Sequence, residues 1–365
     1  MKLIYAITIL SGTIIGVGFF GLPYIAFQVG FWTILGYFLA LGTLVILIHL
    51  FFGELAIKTP DFKRLPGFAK IYLGRLGEKI AYISTIFGIF GALLAYLIVG
   101  GEFFFELLSP IFGGTSLFYT IIYFMIGAFL IFFGIKAIAK IEFWGVISFF
   151  IILFIIFFRG QPFIEVQNLF PIPDWSKFFL PYGAILFSLW GAALIPEIEE
   201  ILGKEKRKIK TVIFLGILVP IIIYFIFIYL VLGITGSQVT ETALPGLRAI
   251  LGNEIVSLAL IFGILATFTS FIALGLTLKK VFQYDLKFNE NLAWLITCFI
   301  PLALFLIGIK EFIPLISFIG GVMLAIDGIL ILLMYKKSNP KKKFIVYPLI
   351  LVLLTGIVYS IIYFY

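Results

Sequence analysis

Eleven long apolar runs succeed one another along this chain, and that repetition constrains its fold more than anything else in the sequence. They lie near residues 3–28, 31–57, 80–109, 116–135, 141–158, 178–202, 211–234, 254–278, 291–309, 312–335 and 344–364. Most reach the roughly 20 residues that an α-helix needs to cross the hydrocarbon core of a bilayer. Only 12% of the 365 residues are charged and 63% are hydrophobic, whereas a water-soluble chain carries about 25% charged residues. Too little polar surface exists to coat a soluble body, so lipid must cover the outside. Inside lipid each span has to satisfy its own backbone hydrogen bonds, which makes it helical. The expected class is an all-α integral membrane protein of about 11 transmembrane helices.

The basic residues orient these spans. With the N-terminus inside, only Arg159, Lys177, Arg248 and Lys310 of the 26 Lys and Arg residues fall outside. Positive residues near span ends stay cytoplasmic, so the reading is a plasma-membrane protein with its N-terminus in the cytoplasm and its C-terminus outside. One missed helix would scramble that alternation. The net charge of +8 then belongs to membrane orientation rather than to nucleic acid binding. A lone Cys298 excludes an intrachain disulfide, and with His49 as the one histidine a structural zinc site is disfavoured. The first run is as long as a spanning helix and lacks an Ala-x-Ala exit, so it reads as a retained helix rather than a signal peptide. Between spans two and three, Phe68, Tyr72 and Leu76 recur at helical spacing among Lys63, Arg64, Lys70, Arg75 and Lys79. That pattern predicts an amphipathic helix within 59–79, lying in the headgroup layer.

Two spans are interrupted. The first contains Ser11-Gly12-Thr13-Ile14-Ile15-Gly16-Val17-Gly18-Phe19-Phe20-Gly21-Leu22-Pro23, and each glycine weakens a helix by about 1 kcal/mol relative to alanine. Residues 16–21 also spell Gly-x-Gly-x-x-Gly, but position 36 is Gly where a dinucleotide fold needs an acidic residue, and no strand can precede it. Close helix packing through Gly12-x-x-x-Gly16 is the plain alternative. The sixth span weakens that alternative, because Phe187-Ser188-Leu189-Trp190-Gly191-Ala192-Ala193-Leu194-Ile195-Pro196 repeats the pattern. Five spans separate the two segments, so a second set of five runs inverted relative to the first. Interrupted helices at matching positions of inverted halves mark a transporter's binding site. A broken helix exposes N–H groups at one end and carbonyls at the other. N–H groups near Gly16, Val17 and Gly18 suit a carboxylate, and carbonyls near Thr13, Ile14, Phe187 and Ser188 suit an ammonium or sodium ion. Together they suit a zwitterion.

The run from Gly16 to Pro23, and Ala95-Tyr96-Leu97-Ile98-Val99-Gly100-Gly101-Glu102 in the third span, resemble signatures of the amino acid/auxin permease family. That family belongs to the amino acid–polyamine–organocation superfamily and has the leucine-transporter fold. The resemblance implies a five-plus-five inverted repeat with discontinuous helices one and six, divided as 1–158, 159–335 and an appended eleventh helix at 336–365, and it implies amino acid symport. In the eighth span Ala266-Thr267-Phe268-Thr269-Ser270 is similar to the sodium-site segment of sodium-coupled relatives. By that similarity Thr269 and Ser270 would give hydroxyls and Ala266 a carbonyl, with carbonyls of Gly12 and Ile15 completing a sodium site of neutral oxygens. The same hydroxyls equally suit a bond back to the preceding turn. No cofactor is expected besides the coupling ion. A short helix within Thr240 to Gly252, acting as a lid, also rests on the resemblance.

Proton coupling is the rival reading. The fifth span has no lysine to replace sodium, and Asp327 is the best proton candidate, with a helix–helix hydrogen bond as its plain alternative. Glu102 and Glu106 read as a wet vestibule, His49 and Glu54 as structural or interfacial groups, and Glu197, Glu199 and Glu200 as a gate or surface ion pairs. The midplane carries no fixed charge, which favours a neutral amino acid, with a branched or aromatic one expected, in a pocket shaped by Tyr96, Phe187 and Trp190. A membrane enzyme would need clustered acid, base or metal groups at one depth, and these residues are scattered. A sensor on the same scaffold would need an output domain. Sodium-coupled symport of a neutral amino acid is the leading expectation.

Overall fold

A computed structural model of the chain describes residues 2–60, 63–134 and 150–364, with the side chain of residue 364 left aside. The first part of the fifth run, with Glu142, lies outside the described residues. In chain order the helices are α1 (Lys2–Ile14), α2 (Leu22–Val29), α3 (Phe31–Lys58), α4 (Leu65–Phe112), α5 (Ser116–Phe133), α6 (Phe150–Phe163), α7 (Leu180–Leu189), α8 (Ile195–Leu202), α9 (Ile209–Thr235), α10 (Arg248–Leu251), α11 (Asn253–Lys280), α12 (Glu290–Leu306), α13 (Phe312–Phe318), α14 (Ala325–Ser338) and α15 (Lys343–Phe364). Among the described residues there is no strand. Seven helical stretches are long and apolar enough to cross a bilayer, or eight when the bent pair Lys2–Ile14 and Val17–Val29 is one span. The expected eleven is therefore not reached by length and apolarity alone. Phe150–Phe163 and Glu290–Leu306 are apolar but shorter, and Leu180–Gln238 is a single run of 59 residues. At 1.5 Å per residue that run would extend for about 88 Å, so it has to fold back, and it does so at Gly203, whose φ is +53°.

Local sequence sets the helix ends. Pro23, Pro181 and Pro196 all sit in first turns, where a missing N–H costs nothing. Thr115 caps α5 by accepting the Phe118 N–H at 3.3 Å, and Gly134 closes it in the left-handed conformation. The basic loop after α3 departs from the expected stripe. Gly74 (φ +77°) breaks α4 and separates a first section from the long span. Phe68 in that section is buried and meets Phe52 edge-on at 5.1 Å, and the Tyr72 hydroxyl pairs with Thr59 at 3.0 Å. Leu76 lies beyond the break and is 72% exposed, so the amphipathic stripe stops before it.

The core is organised around α9, α4 and α7. Pro220 within α9 has no N–H to give the Gly216 carbonyl one turn earlier. Ser11 of α1 supplies the missing donor, Oγ to Gly216 O at 3.1 Å, and Leu10 packs so tightly there that a Cβ on Gly216 would fall 2.6 Å from it. Thus α1 is keyed onto α9. Similarly, α7 lies backbone to backbone on a π-helical turn, Ile319–Leu324, between α13 and α14: a Cβ on Gly183 would collide with the Ser317 carbonyl, and one on Gly320 with the Gly183 carbonyl. Large apolar side chains such as Phe129, Leu351 and Ile362 remain exposed on α5 and α15, as a lipid-covered surface requires.

Candidate functional site

Both expected interruptions are present. At the first, α1 ends at Ile14, Gly16 adopts an extended conformation (φ −102°, ψ −153°), and a 3-10 turn, Val17–Gly21, leads into α2. The two parts are bent by 51°. The Gly16 N–H turns back onto the Ile14 carbonyl at 2.7 Å, so it is withdrawn from the Gly12 carbonyl that a continuous helix would use. Val17 and Gly18 open the new turn, and the first N–H groups of a helical turn have no partner within it. At the second, α7 ends at Leu189, Trp190 is extended (φ −81°, ψ 117°), and Gly191 precedes the short turn Ala192–Leu194. Here the freed N–H is met by a side chain. Gly191 donates to His49 Nε2 at 3.0 Å, and His49 Nδ1 faces the Val45 carbonyl at 2.8 Å. Because Gly191 can only donate, Nε2 is the acceptor and the ring proton sits on Nδ1. The imidazole is buried and neutral, and Trp190 stands edge-on to it at 5.2 Å.

The two interruptions touch. A Cβ on Gly18 would lie 2.5 Å from Ser188 Oγ and 2.9 Å from the Phe187 ring, and one on Gly191 would lie 2.9 Å from Ile14. Tyr96 of α4 presses its hydroxyl against Gly16. The structure thus brings Ile14, Gly16, Val17, Gly18, Tyr96, Phe187, Ser188 and Trp190 into one region, with the Thr13 carbonyl 3.7 Å from the Cβ position of Gly16. The Ser188 hydroxyl donates to Ala184 O at 2.7 Å. The Ile14 and Ser188 carbonyls both meet Tyr224 Oη of α9, at 2.7 and 2.8 Å.

The expected sodium ligands lie on two separate elements. The Thr269 hydroxyl bonds back to Ala266 O at 3.2 Å, the local alternative open to it. Ala266, Thr269 and Ser270 are half-buried on α11, which packs chiefly on α4, α5 and α12, whereas Gly12 and Ile15 belong to the end of α1, which packs on α9 and α8. Asp327 is different. It is buried, accepts from the Ser84 hydroxyl of α4 at 2.5 Å, and among the described residues no cationic side chain pairs with it.

Glu102 and Glu106 do not simply line a vestibule. Thr242 donates to Glu102 at 2.8 Å, while Arg248 of α10 reaches the Glu106 carboxylate at 2.7 Å and its backbone carbonyl at 2.8 Å. The segment before α11 is thereby clamped onto the far end of α4. At the lysine-rich face, Glu54 binds both Lys210 and the Tyr335 hydroxyl at 3.0 Å, and Glu199 pairs with Lys206.

Tyr224, Thr242 and the capping role of His49 escape sequence reasoning. Each acts across a long stretch of chain, which no periodicity records. The one available signal is that Tyr224 and His49 are isolated polar groups inside apolar runs, where a hydroxyl or imidazole must find a partner.

Against known proteins, the model of the tryptophan/tyrosine permease family matches residues 1–363. The chain is also similar to glutamine transporter 2 of Aliivibrio fischeri (strain ATCC 700601 / ES114), with 24% identity over 339 residues, 88% of this chain and 85% of that protein. Among solved structures it resembles Mhp1, a nucleobase-cation-symport-1 family transporter, in a closed conformation with bromovinylhydantoin bound: TM-score 0.64, 14% identity, 98% of this chain and 92% of that one. It likewise resembles MhsT in complex with L-phenylalanine, at TM-score 0.58 and 14% identity over 97% of this chain and 98% of that one. The chain belongs to the tryptophan/tyrosine permease family. The resemblance to amino acid/auxin permeases gives way to this family name, and what the two share stands: a multi-pass membrane transporter of amino acids or related organic solutes with the leucine-transporter fold, not an enzyme.

Proposed function

We propose that this permease carries a neutral amino acid across the plasma membrane by alternating access, binding it between the two helix interruptions. One observation carries the reading: the ends of two interrupted spans meet at Gly18 and Ser188, with carbonyls of Ile14 and Ser188 converging on one point and the N–H groups of Val17 and Gly18 opening the next turn. In a low-dielectric setting the N–H groups attract a carboxylate and the carbonyl ends an ammonium. The side chains around them (Tyr96, Phe187, Ser188 and Trp190) carry no charge, so a charged substrate side chain would be buried unpaired at high cost. The names of the relatives agree with this, since tryptophan, tyrosine, glutamine and phenylalanine are all neutral.

In this reading the chain makes eleven passes, counting Leu180–Gln238 twice and including the two shorter apolar helices. It is organised as 1–158, 159–335 and 336–365, with the N-terminus cytoplasmic and the C-terminus outside. The segment clamped by Glu102 and Glu106 is its outer lid. The coupling ion is sodium in the first reading, held by Gly12, Ile15, Ala266, Thr269 and Ser270 once α1 and α11 approach and Thr269 releases its local bond. A second reading, favoured by the buried Asp327 without a cationic partner, is proton coupling through the Asp327–Ser84 pair. Proteoliposomes decide between them. Sodium coupling predicts accumulation of L-phenylalanine or L-glutamine under an inward sodium gradient, and Thr269→Ala weakens the sodium dependence more than Asp327→Asn. Accumulation driven by a pH gradient alone, abolished by Asp327→Asn, assigns the proton instead. No uptake of any of the twenty amino acids under either gradient removes the transport proposal.

A further inference from the structure

A tyrosine hydroxyl carries one hydrogen, yet Tyr224 Oη lies within hydrogen-bond distance of two carbonyls, Ile14 O at 2.7 Å and Ser188 O at 2.8 Å. Ile14 closes α1, and Ser188 is the penultimate residue of α7. Each helix end presents a partial negative charge of about half an electron, so two negative ends converge on a single neutral donor. The ring cannot drift away from them. It is fully buried, stacked at 5.9 Å on Phe19 and flanked at 6.3 Å by Phe38. Its helix is fixed to α1 about two turns away by the Ser11–Gly216 bond.

We propose that Tyr224 is the protein's own substitute for the substrate's ammonium group, and that it is what lets the carrier return across the membrane empty. The proposal rests on the transport reading above and adds a positioning residue to it. An ammonium offers three donors. On arrival two of them serve the two carbonyls in place of the Tyr224 hydroxyl. The hydroxyl only has to rotate, and the ring stays where it is. When substrate leaves, the hydroxyl turns back and the two carbonyl ends are not abandoned in an apolar interior, where unpaired backbone groups are costly. Net uptake requires this empty return in every cycle. Exchange does not, because a substrate occupies the site in both directions.

The two activities therefore separate the role from a merely structural one. Wild type and Tyr224→Phe are reconstituted in liposomes, and entry of radiolabelled L-phenylalanine and L-glutamine is followed in two ways. Vesicles without internal amino acid report net uptake, and vesicles preloaded with the same unlabelled amino acid report exchange. Tyr224→Phe is expected to slow net uptake by about tenfold, the cost of one lost hydrogen bond in the return step, while exchange stays within about twofold. Retained exchange also shows that the variant is folded. Equal loss of both activities, or loss of neither, overturns the proposal. Tyr335→Phe serves as the matched control, since it removes another buried hydroxyl, the one bound to Glu54. An exchange-sparing loss of net uptake in that control would overturn the assignment to Tyr224 as well. A wild type inert in both assays, for all twenty amino acids, would sink the transport reading itself.

Discussion

The two interruptions are built from similar ingredients, an extended residue at or beside a glycine and a proline a few residues on, yet their exposed groups are treated differently. At the second, the free N–H of Gly191 is sealed by a histidine ring from α3. At the first, Gly16 folds back on Ile14, and Val17 and Gly18 open the next turn. The carbonyl ends, by contrast, share one partner in Tyr224. Two interruptions of similar composition thus close in different ways, one through a side chain and one through its own backbone. The lesson is that structural symmetry of the backbone need not carry over to its chemistry. Under the proposed function the first break receives the substrate's carboxylate, while His49 holds the shape of the second.

Four substitutions test that division, from the largest expected effect to the smallest. His49→Ala leaves the Gly191 N–H unmet and opens a void, costing about 2–4 kcal/mol; thermal unfolding in detergent reads it, and a melting temperature unchanged from wild type would break the comparison. Gly18→Val fills the contact with Ser188 and Phe187 and is expected to lower amino acid affinity by about tenfold or more, with an overpacking cost of about 1–3 kcal/mol; equilibrium binding of labelled phenylalanine measures it. His49→Gln keeps an acceptor on a shorter arm and should recover about half of the stability lost in His49→Ala, which sharpens the claim that the hydrogen bond, and not ring volume alone, seals the second break. Arg248→Ala removes the half-exposed bridge to Glu106, worth about 0.5 kcal/mol, so stability barely moves. In Arg248→Ala the lid is expected to open more readily and KM to rise by about twofold, measured as initial uptake rates.

Much of this arrangement is written in the sequence because it depends on local rules. Span length follows from bilayer thickness, and Gly16, Gly18, Gly191, Pro23 and Pro196 disclose the breaks by weakening or starting helices. Ile14, Gly16, Val17, Gly18, Phe187, Ser188 and Trp190 lie in or beside those breaks, whereas Tyr96 reaches Gly16 from α4. What stays hidden involves pairs that meet across the bundle. Nothing near position 49 tells that its ring will reach Gly191, and nothing near position 224 points to Ile14 and Ser188. The Leu76 misplacement has a local cause, since a helical stripe cannot be read through a glycine that turns the backbone at position 74. The Thr269 hydroxyl illustrates a third kind of limit. Its spacing fits a ligand and a helix back-bond equally well, and the observed bond to Ala266 is the nearer of the two.

The contact between Gly183 and Gly320 has a mechanical consequence. Two main chains that meet with no side chain between them have no compressible layer to absorb relative motion. A tilt of α7 must therefore be handed directly to the π-helical turn and on to α14, whose third residue is Asp327. The second break and that carboxyl behave as opposite ends of one lever. Under the proposed function, a rocking of the broken span would slide Asp327 against Ser84.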